Sequence, residues 1–163
     1  MKQIEFIRNH PKYQASYERT KELEKDRIFC RHQMTHLMDV ARIAYIQNLE
    51  QGLGFSKEVI YAAAILHDIG KYRQYEDKTP HEVASEEIAR EILQDLPEEI
   101  AFPQEEMDMI LQAIRSHRRM QEDMTPLDML LYTSDKMSRN CFACEAEREC
   151  NWSEDKKNME IKI

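Results

Sequence analysis

Ala62-Ala63-Ala64-Ile65-Leu66-His67-Asp68-Ile69-Gly70-Lys71 ends a strongly apolar run on an imidazole and a carboxylate. The run reads as a buried helix, and burying such groups is costly unless they are paired or hold a metal. His36, His81, His117 and Asp135 stand in helical sequence at distant points of the chain. Together with the His67-Asp68 pair they read as ligands gathered from several helices around metal, which would make the chain a metallohydrolase.

Outward from that run, the chain reads as helix nearly throughout. Ser56 is placed to cap the helix that runs to about Asp68. Residues 13–28 predict a charged helix, and Cys30 to Glu50 an amphipathic one with Leu37, Val40, Ala41 and Ala44 at helical spacing. Thr79-Pro80-His81-Glu82 reads as a helix start, with Thr at N-cap, Pro at N1 and Glu at N3, running to about Asp95. Residues 104–118 predict a further helix carried by Met107, Ile110, Leu111 and Ile114. Thr125-Pro126-Leu127-Asp128 starts a last one through Asp135 toward Arg139. No strand pattern competes, so the fold class is all-α. A chain of 163 residues is one domain by prior, long enough to bury a core around a site.

Composition narrows the partners. Hydrophobic residues at 42% and charged residues at 33% describe a globular chain. The net charge of −8 argues against a nucleic-acid backbone as partner. An anionic substrate would then be drawn in by metal and a few basic side chains. The apolar stretch Val59–Leu66 is too short to cross a bilayer, and Met1-Lys2-Gln3-Ile4-Glu5-Phe6 carries no secretory core, so a cytoplasmic protein is expected.

Four imidazoles and two carboxylates suit a pair of borderline transition metals such as Fe or Mn, and Mg alone less well. Such metals lower the pKa of bound water and hold phosphoryl oxygens, so no separate protein nucleophile is needed. Lys71 and Lys136 flank the ligands and are candidate phosphate contacts, with Arg115, Arg118, Arg119 and Arg139 as further ones. Asp39 and Asp128 either orient ligands or belong to ordinary helix surfaces. His10, before Pro11, reads as a surface residue.

His36-Leu37-Met38-Asp39-Val40-Ala41, His67-Asp68-Ile69-Gly70-Lys71 and Ser134-Asp135-Lys136 resemble the His…His-Asp…Asp pattern of the HD-domain metal-dependent phosphohydrolases. The resemblance covers roughly residues 30–140 and implies a single-domain HD-type helical bundle with His36, His67, Asp68 and Asp135 on one metal. It leaves residues 1–29 as an N-terminal helical segment packing on that domain and 141–163 as a cysteine-containing tail. His81-Glu82-Val83-Ala84 and Ala113-Ile114-Arg115-Ser116-His117, with Asp135 at an offset of 18 from His117, are similar to the symmetrical diadenosine tetraphosphate hydrolases within that superfamily. That likeness implies a second metal on His81 and His117, bridged to the first by Asp68. Arg118-Arg119-Met120 departs from the small polar residues of that group, which bears on the substrate.

The resemblance thus implies hydrolysis of a nucleotide or dinucleotide phosphate, with catalytic roles for Asp68 and Lys71 and substrate contacts from Lys71, Arg115, Arg118 and Lys136. One or two divalent ions are implied, Fe or Mn first, with Zn, Ni, Co or Mg as alternatives. Two other classes stay open: a nucleotide-sensing module without turnover, and a di-iron oxygenase.

Cys30, Cys141, Cys144 and Cys150 form a second constellation. Four thiols including a Cys-x-x-Cys are the count for a zinc or iron–sulfur site, with a core thiol and a decorated turn as the alternative. Cys30 lies six residues before His36, and Cys141 six after Asp135. On antiparallel helices both thiols would leave the metal in one direction, about 9 Å along the axes. His32 is a candidate substitute for one of them.

Overall fold

The computed structural model describes residues 1–161, and among them every regular element is helical. The helices are α1 (Lys2–Asn9), α2 (Pro11–Leu23), α3 (Met34–Gln51), α4 (Lys57–Leu66), α5 (Lys71–Glu76), α6 (His81–Gln94), α7 (Gln104–Ser116) and α8 (Pro126–Met137), with 3-10 turns at Glu98–Ile100 and Cys141–Ala143. The last two positions of the expected 141–163 tail lie outside the described residues.

The quoted apolar run is the centre of the bundle. Every residue from Val59 to Leu66 in α4 is buried, and the helix contacts α1, α3, α6, α7 and α8. A helix apolar on all sides is stable only when surrounded, and each fully buried Ile or Leu contributes roughly 1.5–3 kcal/mol. Ser56 caps it as predicted, its Oγ accepting from Val59 N at 3.2 Å. Thr125 and Asp128 close a reciprocal capping box on α8. At the far end of α3, Gly52 adopts φ +65, the left-handed terminator that glycine enters at little cost.

Three local readings are corrected. The predicted 13–28 helix is α2, which starts at Pro11 and stops at Leu23 because Glu24 turns inward to pair with His32. His10 is not a bystander: its Nδ1 accepts from Lys12 N at 3.2 Å and caps α2, while Nε2 lies 3.1 Å from Asp95. Thr79 does not cap α6. Its hydroxyl accepts from Arg73 instead, and Val83 N and Ala84 N donate to Pro80 O, so the helix starts at His81. Asp128 serves the cap and Asp39 pairs with Arg42 on an open face, so neither orients a ligand.

Candidate metal centre

His67 is the C-cap of α4, and the chain turns through Asp68 and Ile69 directly into α5. Ile69 N donates to Leu66 O and Lys71 N to Asp68 O, which keeps the His-Asp pair on a tight turn facing inward. Gly70 makes that turn fit beside α6. A Cβ there would lie 2.4 Å from Ser85 N and 2.7 Å from the Ala84 Cβ, and Gly70 N donates to Ser85 Oγ at 2.9 Å. This close approach fixes Asp68 relative to His81, the first residue of α6. His36 comes from the first turn of α3, His117 from the C-cap of α7, and Asp135 from the inner face of α8.

All six expected ligands are buried, and they meet. One ligand atom from each of His36, His67, Asp68 and Asp135 lies within 4.8 Å of the others, and the same holds for Asp68, His81 and His117. Asp68 belongs to both groups. Its Oδ2 lies 3.0 Å from His67 Nε2 and 3.6 Å from His36 Nε2, while its Oδ1 lies 3.4 Å from His81 Nε2 and 3.7 Å from His117 Nε2.

Hydrogen bonds on the outer side of each ring set its tautomer. Nδ1 of His67 donates to Ala64 O and Nδ1 of His117 to Ile114 O, each at 2.6 Å. His81 Nδ1 donates to Gln74 Oε1 at 2.6 Å. Ser138 Oγ, which donates to Asp135 O, accepts from His36 Nδ1 at 3.0 Å. Each neutral ring thus turns an Nε2 lone pair into the site, and where no cation stands there Asp68 and Asp135 favour a proton on His67 Nε2 in its place. His81 Nε2 and His117 Nε2 lie 3.1 Å apart, and no hydrogen bond reaches His67 Nε2 or Asp68 Oδ1. Buried lone pairs so arranged are repulsive until a cation stands among them. The residues therefore fit divalent metal.

The electrostatics agree. Burial favours neutral Asp68 and Asp135, yet the surrounding cations and imidazoles hold both well below the usual carboxylate range. Burial also opposes charge on His67, but Asp68 and Asp135 outweigh it and raise that ring to about 10. His36 is pushed down to about 3 by burial and by Arg139, and His81 to about 2 mainly by burial. Arg139 NH2 donates to His36 Nε2 at 2.9 Å and lies 3.4 Å from Asp135, so this guanidinium occupies one cationic position.

A cavity of about 540 Å³ opens above Asp68. Lys71, Arg118, Arg119, Lys136 and Arg139 line it, as expected for these candidates, and so do Arg27, Gln74, His32 and Trp152. Arg118 is held by Glu82 at 3.1 Å, and Lys136 by Asp135 at 2.5 Å. Arg115 is not among the lining residues. It sits two residues before the buried His117, on the solvent side of α7. Sequence reasoning missed Glu24, whose carboxylate is 1% exposed. It accepts from the His32 ring, from His32 N at 2.7 Å and from Tyr75 OH at 2.5 Å. His32, expected near the thiols as a substitute ligand, is tied to that carboxylate, with its Nε2 3.7 Å from Asp68. No sequence signal marked Glu24, which stands inside the charged run Lys21-Glu22-Leu23-Glu24-Lys25-Asp26-Arg27.

The cysteines line a second cavity, of about 130 Å³, that shares Arg27, His32, Lys71, Arg139, Asn151 and Trp152 with the first. The helical geometry expected for them does not hold. Residues 30–33 precede α3 in extended or irregular backbone, and Cys141 follows α8 in a 3-10 turn. The thiols converge through loops.

Residues 34–140 match the family described as HD domain. A relative from Clostridium beijerinckii, called only an uncharacterized protein, is 46% identical over 161 residues, covering 99% of each chain. No solved structure matches. The chain belongs to the HD domain family, and with it to a superfamily of metal-dependent phosphohydrolases. Members of this family bind divalent metals and generally hydrolyse small phosphate esters. Among the described residues, no helix is long and apolar enough to cross a membrane.

Proposed function

We propose that this chain is a two-metal phosphohydrolase of nucleotides or dinucleotides. His36, His67, Asp68 and Asp135 would hold one ion, and His81 and His117 the other, with Asp68 shared. The observation that carries the reading is the division of the Asp68 oxygens between two groups of ligand atoms. Fe or Mn suits this mixture of imidazole and carboxylate better than Mg. When bound, divalent metal lowers the pKa of water and polarises a phosphoryl oxygen.

The protein's own side chains supply the rest. Lys71, Lys136 and Arg139 present positive charge to a phosphate above Asp68. Burial lowers the pKa of Lys71, so this ammonium gains most from an incoming anion. Arg118 and Arg119 extend the charge along the cavity, enough for a second phosphate. Trp152 offers a flat apolar face in the same wall, suited to a nucleobase. His32, with Nδ1–H donated to Glu24, directs an Nε2 lone pair toward Asp68 and is placed to accept a proton.

The test is a turnover assay on protein loaded with Mn(II) or, anaerobically, Fe(II), using mononucleotides and dinucleoside polyphosphates. Phosphate release that depends on metal is expected. Metal-loaded protein that binds nucleotides but turns none over would replace the proposal with a sensing module. Oxygen consumption without phosphate release would replace it with an oxygenase.

A further inference from the structure

Cys30, Cys141, Cys144 and Cys150 are four free thiols from two chain segments more than a hundred residues apart, and all face one cavity. Cys141 is buried and the other three are partly buried. Its thiol is pushed up first by burial and then by the proximity of the other three, so the four sulfurs act on one another electrostatically. Four converging thiols unjoined by disulfide are a ligand set.

The spacing of the sulfurs distinguishes what they would hold. A single zinc at about 2.3 Å from each sulfur draws a tetrahedron of thiolates to about 3.8 Å apart. Among the described residues, no three of these sulfurs share the 4.8 Å mutual spacing that the histidine and carboxylate groups show. An iron–sulfur cluster is wider, because its cysteines bind different irons across a sulfide-bridged core. The charge also suits a cluster: Arg27, Lys71 and Arg139 border the cavity, where the acidic Glu147 is paired with Lys157 at 2.5 Å, and four thiolates around a cluster carry net negative charge. We propose that the four cysteines ligate an iron–sulfur cluster.

The cluster would be a fastener for the catalytic cavity. Cys150 directly precedes Asn151 and Trp152, which line both cavities, and Ser153 and Lys156 line the catalytic one. The segment that carries them has no regular element beyond the turn at Cys141–Ala143. Its polypeptide ties to the bundle include Asn158 Nδ2 donating to Met137 O at 2.8 Å, while Phe142 N donates to Asn158 O at 3.2 Å within the segment itself. Ligation would join this segment to Cys30, before α3, and hold Trp152 in place.

The experiment uses the full chain purified anaerobically, and again after incubation with ferrous iron and sulfide. Acid-labile sulfide, visible charge-transfer absorption and Mössbauer spectra are measured. The expected result is sulfide in proportion to iron, retained in His67→Ala and falling to background in Cys144→Ser and Cys150→Ser. His67→Ala separates this site from the catalytic ions, so loss of phosphatase activity with sulfide retained leaves the cluster standing. Absence of sulfide from both wild-type preparations would overturn the proposal without recourse to variants. So would zinc bound without sulfide and lost in the cysteine variants.

Discussion

Asp68 gives one oxygen to each half of the site, and this fixes what its removal does. Asp68→Ala is expected to lose both ions, whereas His81→Ala and His117→Ala lose one and keep the other, with activity down roughly 100-fold or more. Metal-to-protein ratios by elemental analysis check this, and wild-type ratios in both histidine variants would reduce the site to a single ion. Glu24 makes a second prediction. Burial alone would raise its carboxyl, but the hydrogen bonds from the His32 ring, Tyr75 and the His32 backbone outweigh it, lowering the group from 4.5 to about 2. Between those values the unfolded chain binds more protons, so the stabilisation is complete above 4.5 and fades as pH falls toward 2. Glu24→Gln should cost about 1–3 kcal/mol at neutral pH. Thermal unfolding in chelator should show that difference narrowing below pH 4.5, and a difference unaltered by pH would refute the assignment.

Elements that carry their own punctuation were legible in the sequence. Ser56 and Thr125 announced α4 and α8 because their hydroxyls act within three residues. Thr79 was misread because Arg73, from another helix, competes for its hydroxyl, and nothing local records that. The six-residue α5 has no buried stripe and no side-chain cap, so it left no pattern. Gly70 was visible as a residue but its reason was not: φ is −89 and ordinary, and the constraint is α6 pressed against it. Gly70→Ala should cost roughly 1–3 kcal/mol and weaken metal binding at the His81 side by displacing α6. Gly52→Ala is the control, strained at φ +65 but remote from the site, and should lower the thermal midpoint without changing metal content. Equal metal loss in both variants would count against the α5–α6 contact as the cause.

At the scale of the whole molecule, the candidate metal ligands were legible because a buried imidazole or carboxylate has few bland explanations. His36, His67, His81, His117, Asp68 and Asp135 all came from such positions. The cavity wall was not, since Arg27 and Gln74 are common surface types in sequence, Trp152 stands in a tail without regular elements, and all three become lining only when distant segments meet. The same meeting has a thermodynamic consequence for the carboxylate that both groups share. In the proposed two-metal site, two dications sharing Asp68 would repel each other, so the first ion would make the second bind more weakly. Linkage requires the second to loosen the first by the same factor. Each position would therefore hold its ion more tightly when the other is empty than when it is filled, and metal supply would set occupancy in two steps.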